Sequence, residues 1–351
     1  MAYTTIDDPS AYFQTTLYTG NGGTNAITNT GNSDLQPDWI WFKRRDGADN
    51  HILFDVIRGV TKGIYADIDN AQDNLADSLS SFNSDGFTLG ADTGSGGSIN
   101  GSSETNVAWQ WKAGGSASSN SDGSITSSVS ASTDAGFSIV SYTGNSTSGA
   151  TVGHGLGVAP RVVLIKKTSG ADAWTMLHVD SSGGLNTYLA LNSSSGAISD
   201  PVFNNTAPTS TVFTLDSDGQ VNDNGSSLIA YCFADVTGFS KHGSYVGNGS
   251  SNGPFIYTGF KPAFVMTKKT SGTSSWDMHD TKRDTFNVAT KHLLAEDGGA
   301  EGSTVVLDIL SNGFKFRTSN GDRNAPGETY IYMAFAEAPL VGSNNVPTTA
   351  R

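Results

Sequence analysis

At 351 residues the chain is long enough for two or three ordinary domains. Charged residues make up only 15%. Forty-two glycines and many Ser, Thr and Asn separate short apolar clusters that bring the hydrophobic fraction to 36%, a pattern of many strands joined by turns that excludes a disordered chain. A formal net charge of −13 disfavours nucleic-acid binding, which needs a basic face. The single cysteine excludes an intrachain disulfide, and no run of about 18 apolar residues is present to insert in a membrane.

Residues 1–14 read as an N-terminal arm, either an attachment segment or a frayed terminus; Met1–Ser10 is polar, with Asp7 and Asp8, and unlike a secretion signal. A first unit spans 15–113. Leu17–Gly22 is a strand running into a glycine turn. Trp39–Phe42 is a short apolar run with aromatic enrichment, the mark of a strand buried on both faces. His51–Ile57 is the next strand, Asn70–Leu79 has room for a helical turn or two, and Asp85-Gly86-Phe87 turns into a strand. Val107–Lys112, with Trp109 and Trp111 alternating, closes the unit. Residues 114–134 are Gly/Ser-rich and read as a flexible or extended linker.

A second unit spans 135–240. Phe137–Gly144 alternates with period two, and its Tyr142-Thr143-Gly144-Asn145 repeats Tyr18-Thr19-Gly20-Asn21. The central strand Val162–Lys167 follows, then Trp174–Val179, Tyr188–Leu191, Val212–Leu215 and Leu228–Phe233, the last holding Cys232 as a small buried hydrophobe. Asp218-Gly219 is a hairpin-type signal. A third unit spans 241–340, opening on Tyr245-Val246-Gly247-Asn248 and closing on Tyr330–Glu337; its central strand is Phe264–Lys268, and 341–351 is a polar tail.

Pro160–Met176 aligns without a gap on Pro262–Met278, with Lys-Lys-Thr-Ser-Gly identical at Lys166–Gly170 and Lys268–Gly272 and with Trp174 over Trp276. A third copy starts at Pro37, with Lys43 over Lys166, Gly47 over Gly170 and His51 in the tryptophan column. With little helix to supply a second layer, each unit needs another sheet to bury its apolar face. The expected fold is all-β: three tandem β-sandwich (jelly-roll-like) units with a short N-terminal arm, the second and third sharing an interface because no linker separates them.

Trp174 and Trp276 are the candidate ligand-binding residues, as sugar-stacking platforms; the plainer reading of a repeated Trp beside a strand is a core anchor. The repeated lysines read as solvated strand ends before a turn, or as a grip for anionic polysaccharide. Asp216, Asp218 and Asp223 resemble an oxygen-rich calcium loop, but Asp-Gly is ordinary turn chemistry. The six histidines form no metal-ligand spacing, although His178 and His279 sit near Asp180 and Asp280. Gly94–Gly101 and Gly20–Gly23 lack the Lys and helix of a phosphate loop, and no serine-hydrolase elbow is present. No catalytic residue, metal or cofactor is expected.

Three stretches carry a resemblance. They are Tyr3–Phe13 running into Leu17–Gly22, Pro37–Lys43 followed by Leu53–Lys62, and Asn106–Gly115 running into the Ser-rich stretch. This set resembles structural proteins of marine tailed bacteriophages, over nearly the whole first unit and through Phe137–Asn145 into the second. The resemblance implies a virion protein, a tail fibre or tail protein with no enzymatic activity. Its arm and first unit would attach to other tail proteins, and its later units would meet a host surface glycan or protein. Phage fibres are usually homotrimers, so a trimer binding multivalently is expected. The alternatives are a capsid or tail decoration or adaptor protein with no receptor role, and a polysaccharide depolymerase. A receptor binder should show exposed aromatics on the last unit; a decoration protein should show an apolar patch facing its virion neighbours.

Overall fold

The computed structural model describes residues 3–94, 98–342 and 347–349. Residues 1–2 of the expected arm, 95–97 of the glycine-rich patch, and 343–346 and 350–351 of the expected tail lie outside the described residues. The fold is all-β: among the described residues only Gly219–Asn222 and Gly321–Asn324 are α-helical, one turn each. No helix among them is long and apolar enough to cross a membrane.

One strand order recurs three times. In the first unit the opening strand Phe13–Thr19 pairs with the closing strand Thr105–Trp111. The closing strand pairs with the central strand Trp39–Arg44, which is followed by Ile52–Asp55 and Lys62–Tyr65, all antiparallel. The second unit repeats this with Phe137–Thr143, Ser227–Phe233, Val162–Lys167, Thr175–His178 and Thr187–Ala190. The third repeats it with Ser240–Val246, Thr329–Pro339, Phe260–Lys269, Asp277–Asp280 and Ala289–Leu294.

The central strands are buried on both faces, as their continuous apolar runs require. In the first two units alternate side chains go to two different cores, whereas in the third Phe264, Val265 and Met266 all join one. In the first unit Ile40 and Phe42 point outward to a small second layer, where they meet Phe54, Leu79 and Phe87. In the second unit the outer layer is the pair Ala150–Gly153 and Val212–Leu215. In the third the main sheet curls on through Gly302–Leu310, Gly313–Phe316 and Phe255–Tyr257.

The inward-facing residues pack against the other units. Trp39 stacks on Tyr231 with ring centroids 4.6 Å apart, Phe13 on Phe335 at 5.4 Å, and Phe233 meets Phe335 at 5.9 Å. All three units therefore share one inner core. They are not strung out along the chain but close on one another about an approximate threefold axis.

Polar contacts follow the same cycle. Lys166 Nζ donates to Asp69 O of the first unit (2.8 Å), Lys268 Nζ to Ser194 O of the second (3.1 Å), and Lys43 Nζ to Gly298 O of the third (3.0 Å). These three lysines are fully buried. The expectation of solvated strand ends is thus corrected for the first lysine of each pair, because the neighbouring unit covers the strand end. Only the second lysine reaches the surface, where Lys167 pairs with Asp223 (2.9 Å) and Lys269 with Glu328 (3.7 Å).

Three local expectations are also corrected. The Gly/Ser-rich stretch 114–134 is not a free linker: Ser118–Asn120 and Ser127–Ser132 pair with each other, and the latter joins the second unit's main sheet beside Phe137–Thr143. Small side chains cannot build a core, but they allow a close-lying strand to use its neighbour's backbone. Asn70–Leu79 forms no helix; Asp73–Asn74 pairs with Lys62 and Gly63, and Leu75 and Leu79 enter the outer core from extended and turn backbone. Asp218-Gly219 is no hairpin turn. Asp218 caps the helical turn Gly219–Asn222, accepting from Gln220 N at 2.7 Å.

Candidate functional site

A motif shared by all three units frames the site. Tyr18, Tyr142 and Tyr245 on the opening strands donate their hydroxyls to the carbonyls of Ile99, Val221 and Arg323, at 2.7, 2.6 and 2.9 Å. The next residue in each case is a fully buried asparagine: Asn100, Asn222 and Asn324. Its Oδ1 accepts the backbone N–H of Asn21, Asn145 or Asn248 at 3.1, 2.9 and 2.7 Å. Gly20, Gly144 and Gly247 lie between, and a Cβ at any of them would run into the backbone at that asparagine. The Tyr-x-Gly-Asn repeat is thus one half of a clamp whose other half lies 76 to 79 residues downstream.

On this frame the third unit departs from the other two. Register places Ile52, Thr175 and Asp277 in one column and Phe54, Leu177 and His279 in another. The residue before the clamp asparagine is Ile99, Val221 or Arg323. Positions that are largely apolar in the first two units thus become an acid, a histidine and an arginine in the third.

These three side chains form a buried cluster. Arg323 grips the Asp277 carboxylate with two donors, Nε to Oδ2 and Nη2 to Oδ1, the latter at 3.0 Å. His279 Nε2 lies 3.1 Å from Asp277 Oδ2, and its Nδ1 lies 3.1 Å from the carbonyl of Lys291. Burial alone would push the Asp277 carboxyl up, but His279 and Arg323 outweigh it and hold it well below the usual carboxylate range.

Above the cluster opens a cleft of about 250 Å³ lined by His292, Thr304, Val305, Thr318, Asn320 and Asp322, with Asp277 and Arg323 in its floor. His292 is half-buried, and burial lowers its pKa below the ordinary value. Asn320 Oδ1 caps the turn Gly321–Asn324 through Asp322 N at 2.7 Å. The cleft is smaller than the ~300–1,000 Å³ pockets of drug-sized ligands. Its rim of hydroxyls, an amide, a carboxylate and an imidazole beside the exposed Val305 suits a small hydroxyl-rich ligand.

The residues singled out from the sequence lie elsewhere. Trp174 and Trp276 are fully buried and donate their indole N–H across unit boundaries, to Tyr65 O at 2.5 Å and Ala190 O at 3.0 Å. Neither ring has a face open to a sugar. His51, in the same column, is buried and accepts from Trp41 Nε1 at 2.8 Å. Asp218 is a helix cap and Asp223 pairs with Lys167. Among the described residues no group of three or more His, Cys, Asp or Glu is placed to hold a metal ion.

His178 faces the third unit, with Nε2 3.4 Å from Tyr332 O, and burial brings its pKa down to about 3. Asp280 is buried against Arg283 (2.5 Å) and accepts from Trp109 Nε1 of the first unit (3.1 Å). Cys232 is free and buried, and burial pushes its thiol up to about 12. The departures at Asp277 and His279 were legible by setting Trp276-Asp277-Met278-His279 against Trp174-Thr175-Met176-Leu177. Arg323 was not, because it reaches the cluster from a distant turn.

The family model described as Domain of unknown function (DUF7483) matches residues 8–339. The chain belongs to this family. The match begins beside the first strand and ends on the last residue of the closing strand Thr329–Pro339, so the DUF7483 domain corresponds to the whole three-unit ring and not to one repeat. No curated protein and no solved structure matches the chain.

Proposed function

We propose that this is a structural protein of a bacteriophage virion, a tail fibre or receptor-binding component whose third unit contacts a hydroxyl-rich host surface ligand such as a glycan. The observation that carries this reading is the departure of the third unit from the threefold pattern. Two copies keep an ordinary core, and the third uses the same columns to floor a polar cleft. The surface agrees in direction: Val246, Phe255, Tyr257, Phe286 and Val305 are exposed on the third unit, against Leu17 on the first and Val158 on the second. The resemblance to phage tail proteins supports the virion setting, with other tail proteins as partners.

The test is binding of the fluorescently labelled chain to cells of the bacterium from which a phage carrying it is grown. Asp322→Ala and Val305→Arg, both on the rim, are expected to weaken binding at least tenfold with an unchanged melting temperature. Equal binding by both variants, or no binding by the parent chain, overturns the reading. Light scattering on the same preparation tests the homotrimer: a mass near three times 36.5 kDa supports it, and a monomer leaves the threefold arrangement to the single chain. An adaptor role without a receptor is the second reading, favoured by the open strand edge of the first unit.

A further inference from the structure

The three opening strands are equivalent, but their outer edges are treated differently. In each, ladder bonds to the closing strand use the residues in step with the clamp tyrosine, as shown by the pairs Gly20–Glu104, Gly144–Ser226 and Gly247–Glu328. The intervening residues turn their N–H and C=O groups away from the sheet. They are Phe13, Thr15 and Leu17 in the first unit, Phe137, Ile139 and Ser141 in the second, and Ser240, His242 and Ser244 in the third.

In the second unit these groups receive a strand, with Ser132, Ser130 and Ser128 opposite Phe137, Ile139 and Ser141. In the third two of the three are capped, with His242 N–H held by Asp235 Oδ1 at 2.8 Å and Ser240 N–H by Val236 O at 2.9 Å, which leaves the exposed Ser244 alone uncapped among the described residues. In the first, among the described residues, no hydrogen-bond partner meets the outward amides of Phe13, Thr15 and Leu17. The Thr15 hydroxyl is likewise buried without a partner.

A groove runs along this edge, with a volume of about 480 Å³ beside Phe13–Thr15 and about 360 Å³ beside Thr15–Tyr18. One wall is the stretch 28–32; the other comes from the third unit, with Lys261, Ala263 and Lys282. We infer that this groove accepts an extended segment of another polypeptide as an added antiparallel strand, in the place that Ser127–Ser132 takes on the second unit. The occupant's chemistry follows from that internal example. A run of Ser, Ala and Val fits because main-chain bonds supply the recognition, as they do where Ser127–Ser132 pairs with Phe137–Thr143. The chain's own copy of such a segment is already engaged in the second unit, so the occupant comes from a second molecule.

The probe is a labelled synthetic decapeptide copying residues 124–133, titrated against the full chain by fluorescence anisotropy. Amide hydrogen exchange is followed in parallel. Saturable binding is expected, with at least tenfold slower exchange at Thr15 and Leu17. A peptide N-methylated at the positions copying Ser128, Ser130 and Ser132 is expected to bind at least tenfold more weakly. Leu17→Pro removes an outward N–H that the sheet does not use and should have the same effect on the parent peptide. The exchange measurement on the unaltered chain keeps the test decisive should that variant fold poorly. No binding at millimolar peptide overturns the inference, as does binding indifferent to N-methylation. A concentration-dependent dimer that protects the same amides would assign the groove to a second copy of this chain and overturn the partner proposed here.

Discussion

A lysine at the end of a strand ordinarily keeps its ammonium in water. Here Lys43, Lys166 and Lys268 are enclosed, each bridging a carbonyl of its own unit and one of the neighbouring unit: Arg44 and Gly298, Asp172 and Asp69, Lys269 and Ser194. Burial pulls all three down to about 8. The unfolded chain therefore holds more protons than the folded one between about pH 8 and 10.5, and stability rises with pH across that window. Buried tyrosines oppose this above about pH 10, where unfolding would let them ionise. Urea midpoints are expected to rise from pH 8 to about 9.5, with a smaller rise in Lys166→Met. That substitution should also cost about 1–3 kcal/mol at pH 7, because it orphans the carbonyl of Asp172 and leaves that of Asp69 with Asp172 N–H as its one donor.

At the scale of the element, the clamp between each opening strand and its buried asparagine ties the two ends of a unit together. Asn222 accepts from Asn145 N and donates to Thr147 O (3.0 Å) and Asp216 O (2.8 Å). Asn222→Ala is expected to cost about 2–4 kcal/mol, since three hydrogen bonds between one fully buried side chain and the backbone are lost together. Gly144→Ala should destabilise by about 1–3 kcal/mol through collision of its Cβ with the backbone of Asn222 and Asp223. Thermal denaturation reads both; a loss under 0.5 kcal/mol in Asn222→Ala would show that the clamp contributes little. The strands were legible because apolar alternation is local. The clamp partner was not, because nothing near Asn145 marks an asparagine 77 residues away.

At the scale of the molecule, the shared inner core makes the three units one cooperative body. Trp39 alone touches Phe137, Tyr231 and Phe233 of the second unit, and Trp109 lies 5.7 Å from Phe264 of the third. Tandem domains would unfold separately; units that bury one another's inner faces would not. Calorimetry is expected to give a single transition for the full chain. Trp39→Ala should lower that transition by about 3–5 kcal/mol without splitting it, and a first-unit transition that melts alone would contradict the shared core. The proposed cleft and the open edge both sit on this body where the threefold pattern is broken.

Composition and local periodicity determined the β class, the three copies, the central strands and the conserved turns within each copy, because these depend on residues a few positions apart. Only the tertiary structure decided that the copies close into a ring, that Lys166 and Trp276 face inward, that residues 127–132 are a strand, and that Arg323 meets Asp277. Each of those outcomes turns on what covers a given face. The covering groups come from the other end of the chain, as Gly298 does for Lys43 across 255 residues.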